Sequence, residues 1–229
     1  MKYALFTCVL VLVVGAFTEL SYANMPEVVI VEAARERTFA DVRYDGAYVS
    51  LKYPGGDVSP DTGVCTDVII RTYRNAFGFD FQKAVHEDMR GNFSKYPKNW
   101  GLTRPDKNID HRRVPNLEAY LKRRGAAVPI TDNPDDYKPG DIVSWRLGGS
   151  LPHIGIVSDR KSEYGTPLII HNIGAGPIED DLLFNTDING HFRYVPERNM
   201  VAEPSENVEA YFTKAQRFNK ALEAASLAE

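Results

Sequence analysis

The apolar positions of this chain follow two different periods, and the change between them falls near its middle. In the first half the repeat is helical. Between Pro26 and Val42, Val28, Val31, Arg35 and Phe39 recur at turn spacing behind a proline suited to a first helical turn, which predicts an amino-terminal helix. Tyr48 to Tyr53 reads as a strand, and Pro54 to Gly63 is composed of turn formers. From Cys65 the helical period returns. Val68, Ile69, Thr72, Tyr73 and Ala76 share the face of Cys65, with Arg71 and Arg74 on the other side and Gly78 as the stop. A second helix is expected from Asp80 to Arg90. Asn116 is placed as the cap of a third, which runs through Arg124 to Gly125.

The second half turns to strands. Ile142 to Arg146, His153 to Val157 and Leu168 to Ile173 are short apolar runs bounded by turns, and Gly190 to Val195 is a fourth. Glu179 to Phe184 reads as one or two helical turns. Val208, Tyr211, Ala215, Phe218 and Leu222 mark a carboxy-terminal amphipathic helix. Helices first and antiparallel strands after predict an α+β fold. Residues 91 to 115, rich in aromatic, proline and charged side chains, form a long connection of the kind that often carries function.

The amino terminus changes the cysteine count. Lys2, the apolar run from Ala4 to Phe17, and Ser21-Tyr22-Ala23 together read as a removable export signal over residues 1–23. That leaves 24–229 as a single domain. Its apolar run is too short to span a bilayer and nothing later is long enough, so no integral membrane segment is expected in the processed chain. Of two cysteines, Cys8 leaves with the signal, and Cys65 is left without a partner in an oxidising compartment. Net charge is −4, and Lys2 and Glu19 cancel, so processing does not change it. A chain of this balance is a poor partner for nucleic acid.

An unpaired thiol opening a helix is a candidate nucleophile, because the free amides of the first turn favour a thiolate and can hold an oxyanion. Gly63 permits close approach. His153 is the candidate base. For the group that orients it there are two neighbours, His171 and Asn172. They face opposite sides of a strand, so at most one can meet His153. Asp110-His111-Arg112-Arg113 is the densest charged cluster. Arg112 and Arg113 are candidates to hold a substrate carboxylate, and Asp67 is a candidate to line the same site or to pair with an arginine. The competing reading is internal ion pairing that pins the long loop. His86 and His191 are expected to be structural. A zinc site built from His153, His171 and His191 lacks a short His-x-x-x-His pair and a carboxylate in the expected setting, so neither metal nor cofactor is expected.

Pro139-Gly140-Asp141-Ile142-Val143-Ser144-Trp145, His153-Ile154-Gly155-Ile156-Val157 and Ile169-Ile170-His171 together resemble the core of the NlpC-type cell-wall cysteine peptidases. The resemblance implies a papain-like core with the nucleophile helix on an antiparallel sheet, flanked here by extra terminal helices. It also implies a Cys65–His153–His171 triad and peptidoglycan stem peptides as the amide substrate, in the periplasm. Where that family has Asp-Cys-Ser-Gly, this chain has Val64-Cys65-Thr66-Asp67, and for the family's oxyanion tyrosine it offers Tyr53. The chain resembles more closely a bacterial exported family labelled only as a domain of unknown function (number 1287). That likeness rests on Gly63 to Val68, Asn108 to Leu117, His171 to Gly174 and Gly190 to Tyr194. Two other functions are consistent with the same residues: a thiol acyltransferase, and an envelope binding protein without catalysis.

Overall fold

A computed structural model describes residues 26–197 and Met200. Four helices are present among them: α1 (Pro26–Glu36), α2 (Cys65–Phe77), α3 (Phe81–Asn92) and α4 (Val114–Arg123). Seven strands accompany them: β1 (Arg43–Tyr44), β2 (Thr62–Gly63), β3 (Ile142–Leu147), β4 (Leu151–Lys161), β5 (Pro167–Asn172), β6 (Pro177–Asp180) and β7 (Ile188–Phe192). β3 to β7 form one antiparallel sheet in the order β6-β5-β4-β3-β7, and β1 and β2 make a small parallel pair. The α+β class and the antiparallel sheet expected from the pattern are both present.

Alternation along the strands divides the sheet into two faces. Ile142, Ile154, Ile156 and Ile170 enter a core with Ile30 and Val31 of α1 and with Cys65, Val68 and Ile69 of α2. Tyr73, Phe79, Phe81, Tyr120 and Tyr194 extend that core edge to face. The other face holds Val143, Trp145, Val157 and Ile169, covered by Leu183 from the β6–β7 connection. The Trp145 indole donates to the Leu183 carbonyl at 3.0 Å, which fastens that cover.

Several expectations are corrected. α1 ends at Glu36 in a 3-10 turn, and Phe39, read as a helix-face residue, is exposed. Residues 48–53 form no ladder. The Leu51 amide donates to Asn108 Oδ1 instead, so a side chain of the long loop replaces a strand partner. Asn116 lies inside the first turn of α4, where its amide donates to the Asp110 carbonyl; Arg113 occupies the cap position. Glu179 to Phe184 is not helical, because Ile178, Glu179 and Asp180 pair with His171, Ile170 and Ile169. The signal of residues 1–23 and the carboxy-terminal amphipathic helix lie outside the described residues. Among the described residues no helix is long and apolar enough to cross a membrane.

α2 is fixed at its start by charge. The Val64 amide donates to Asp67 Oδ2 at 2.7 Å, which satisfies a free donor at the helix entry. Arg112, from the 3-10 turn before α4, grips the same carboxylate with Nε at 3.0 Å and Nη2 at 2.9 Å. Its guanidinium also reaches the carbonyls of Asp45 and Ala47, and its own carbonyl accepts from Thr66 Oγ1. Gly63 has to be small here, since a Cβ would come within 3.2 Å of Asp67 Cβ. On the other side of α2, Arg71 is buried rather than solvent-facing, because Asp57 and the carbonyls of Val58 and Ser59 draw its head inward.

Only 3 % of either side chain in the Asp67–Arg112 pair is exposed. Removing one partner strands the other charge, at a cost of about 3–5 kcal/mol. Urea unfolding of Arg112→Met should show a loss of that size, and Asp67→Leu/Arg112→Met should recover much of it. A single variant as stable as the parent would contradict the role given to the pair.

Candidate active site

Cys65 is the first residue of α2, and its thiol is buried in the rim of the core. The backbone N–H groups of Thr66, within its own helix turn, and of Ile154 on β4 lie near enough to favour its ionised form. The second donor follows from the sheet. Val157 exchanges two 2.8 Å bonds with Gly140 and Asp141, so residues of its parity direct their backbone groups toward β3. Ile154 and Ile156 therefore direct theirs toward β5. There the ladder pairs Val157 with Ile169 and Ile156 with Ile170, and it goes no further toward Ile154. The ladder stops there, and the Ile154 amide is left to favour the ionised sulfur.

Ile154 follows His153 directly. The His153 side chain lies on the sheet face away from the α2 core, where its ring sits 5.8 Å from that of Trp145. Its Nε2 meets His171 Nδ1 at 2.9 Å with the rings edge to face, and His171 Nε2 meets Asp180 Oδ1 at 2.8 Å. Continuing the β4–β5 register puts His171 opposite Gly155, so His153 and His171 are diagonal neighbours. A Cβ on Gly155 would sit 2.6 Å from Ile169 Cγ2 and 3.1 Å from His171 Cβ. This glycine makes room for the facing strand.

Of the two neighbours left open by the sequence, the structure joins His171 to His153. Asn172 turns to the α2 face, where Oδ1 accepts from the Gly174 amide and Nδ2 is buried without a partner. His191 does not join the other histidines. Its ring bonds Asp141 Oδ2 and the Pro129 carbonyl and stacks on Tyr137, a structural role as expected.

The substrate-binding candidates are placed differently from the sequence expectation. Arg112 and Asp67 are committed to each other below the surface. Arg113 bonds Asp110 at 3.0 Å and stacks on Trp100 at 4.0 Å. The competing reading, that these charges pin the loop, describes their contacts. Tyr53 packs its ring against His86, 5.2 Å between centroids. The tyrosine near the sulfur is Tyr44, whose hydroxyl is close enough for the charge of Cys65 to act on it. Nothing in the local sequence points to it. It arrives through the pairing of Tyr44 with Gly63, two residues before the cysteine, in the parallel β1–β2 bridge.

Burial decides the charge state. It pushes the Cys65 thiol up to about 11, outweighing the amides of Ile154 and Thr66 that favour the thiolate. Burial also holds Tyr44 up at about 12, with Cys65 adding to the effect, so its hydroxyl stays protonated. His153 is driven down to about 3 by burial, with His171 as the lesser cause. The resting pair is thus an uncharged thiol and an uncharged imidazole. The sequence suggested a thiolate stabilised by the helix start; the apolar rim of the core overrides that effect.

Residues 31–194 match the family described as Domain of unknown function (DUF1287). The span includes Tyr44, Cys65, His153, His171 and Asp180. The chain is also similar to the Uncharacterized protein YijF of Escherichia coli (strain K12), at 56 % identity over 165 residues, covering 72 % of this chain and 80 % of that protein. Neither description names a reaction.

Two measurements check these protonation states. Burial also holds His111 near 4, below its unfolded value, as it does His153. For such groups the unfolded chain binds more protons, so stability is complete above about pH 6.5 and falls as pH drops toward 4. Chemical denaturation should show a slope approaching two protons in that window, reduced in His153→Ala; a flat profile would contradict buried neutral rings. Alkylation of Cys65 in the absence of substrate should be slow at neutral pH and rise only well above pH 9. A rate already at its plateau by pH 8 would show an activated thiolate instead.

Proposed function

Since the chain belongs to the DUF1287 family, whose description assigns no activity, we propose from the site itself that the protein is an exported papain-like thiol hydrolase that cleaves an amide bond. One observation carries the reading: the Ile154 amide, which favours the ionised form of the Cys65 thiol, is one peptide away from an imidazole held at Nε2 by a second ring. A helix-borne thiol and a strand-borne base oriented by a second ring are the parts that nucleophilic catalysis uses.

The His153 ring bonds His171 and not the thiol, so the reading requires ring and sulfur to meet when substrate binds. In this reading Nδ1, the nitrogen of His153 not engaged by His171, takes the thiol proton, which requires the ring to reach the sulfur from the sheet face away from α2 on which it lies. Because the resting pair is uncharged, proton transfer accompanies attack of sulfur on the carbonyl carbon. The new oxyanion is met by amides at the start of α2 and by the Tyr44 hydroxyl, which burial keeps protonated. The imidazolium returns its proton to the leaving amine and an acyl-enzyme remains. A water, deprotonated by the same ring, then releases the acyl group and restores the thiol.

Peptidoglycan stem peptides in the periplasm are the proposed substrate. The support is the amino-terminal export pattern together with the likeness of the Gly140-Asp141, His153-to-Val157 and His171 segments to cell-wall peptidases. A thiol acyltransferase would use the same residues with an amine in place of water. A binding protein without turnover has one observation in its favour, the burial-raised thiol.

Purified chain incubated with sacculi should release new amino and carboxyl termini. Cys65→Ala should lower that rate by roughly 10^4-fold or more, and His153→Ala by about 10^2- to 10^4-fold, with the fold retained by circular dichroism. Amide exchange onto an added amine without free acid would identify the transferase. Unchanged release in Cys65→Ala would remove the thiol from the mechanism.

A further inference from the structure

We propose that Asp180 is a positioning residue that selects, through His171, which nitrogen of His153 is left free to accept a proton. The inference rests on the hydrolase reading for its catalytic consequence, but the hydrogen-bond logic stands on the geometry alone.

His153, His171 and Asp180 lie on three consecutive strands of the sheet and on one of its faces. Asp180 pairs in register with Ile169 and Ile178 with His171, so Asp180 is the diagonal neighbour of His171, as His171 is of His153. The two contacts are 2.9 Å and 2.8 Å. His171 is fully buried and both of its ring nitrogens are engaged, whereas the Asp180 carboxylate is half exposed.

For two uncharged rings, the bond between His153 Nε2 and His171 Nδ1 holds one proton, and it can be arranged in two ways. In the first, His153 donates from Nε2, which leaves His153 Nδ1 as a bare acceptor and puts the His171 proton on Nε2. In the second, His171 donates from Nδ1. His153 then carries its proton on Nδ1 and cannot act as a base there, and His171 turns a lone pair toward Asp180. An ionised carboxylate accepts hydrogen bonds and cannot donate them. At 2.8 Å it stabilises the first arrangement and repels the second. One surface carboxylate therefore sets the tautomer of a ring two side chains away.

The register that delivers Asp180 is itself secured. Glu179, next in the chain, points to the opposite face and bonds Arg35 of α1, Ser158 and Arg160. A one-residue slip of β6 would exchange the two acids and break that cluster. The four-residue strand thus holds one acid in an ion network and the other against the histidine.

Ring nitrogen resonances of the 15N-labelled chain near neutral pH test this directly. The expected pattern is a protonated, pyrrole-type nitrogen at Nε2 of both histidines and a bare, pyridine-type nitrogen at Nδ1 of both. Asp180→Ala should mix the tautomers, so that His153 Nδ1 loses pyridine-type character, and Asp180→Glu should restore it. With sacculi as substrate, Asp180→Ala should lower kcat roughly 10- to 100-fold with KM little changed. That is less than the about 10^4-fold lost when a carboxylate that directly holds a base is neutralised. A protonated His153 Nδ1 in the parent, or identical ring signals in Asp180→Ala, would overturn the proposal whatever the activity. The expected tautomers in a chain that releases nothing from sacculi would support the role of Asp180 and count only against the hydrolase.

Discussion

The buried pair of Asp67 and Arg112 is the contact on which the site depends. Asp67 caps the entry to α2 two residues after Cys65, and Arg112 reaches across from the long loop to hold it. The same guanidinium takes the carbonyls of Asp45 and Ala47, in the segment that carries Tyr44. One cation thereby fixes the helix that carries Cys65, the segment that carries Tyr44 and the loop that supplies the cation itself. An ion pair this deep contributes little to net stability compared with an apolar substitute. Its effect is geometric: three segments far apart in sequence share one anchor.

The sheet supplies the other half by a local departure from regularity. β4 and β5 pair as far as Ile156 and Ile170 and then separate toward their histidine-bearing ends. That gap frees the Ile154 amide for the sulfur, while the opposite face of the same strands carries the two rings. Gly155 is the condition for it, since any side chain there would push His171 away. Burial keeps thiol and imidazole uncharged.

The parts of this arrangement that were legible in the sequence are the local ones. Helical spacing after Cys65 and the stop at Gly78 define α2, and alternation along β5 shows that only one of His171 and Asn172 can meet His153. His171 and Asn172 could not be separated by alternation alone, because the face turned toward the helix is a tertiary fact. Tyr44 was missed for a similar reason: two residues of parallel pairing bring it to Gly63, whereas Tyr53, nearer in the chain, is drawn off to His86. Asp180 was hidden by length. A four-residue strand with two adjacent acids has no alternation to read, and the stretch after Ile178 passed for a helical turn. Arg112 and Arg113 looked like a ligand clamp because sequence shows charge but not its partner.

Trapping the covalent intermediate tests the central claim most directly. The chain is mixed with soluble muropeptides, quenched in acid within the first turnovers, and its intact mass and peptide map recorded. The account requires an added mass equal to the acyl portion of the substrate, carried on the peptide that contains Cys65 and absent from the His153→Ala chain. Amide cleavage with no adduct on Cys65, or an adduct that forms equally well without His153, would contradict it.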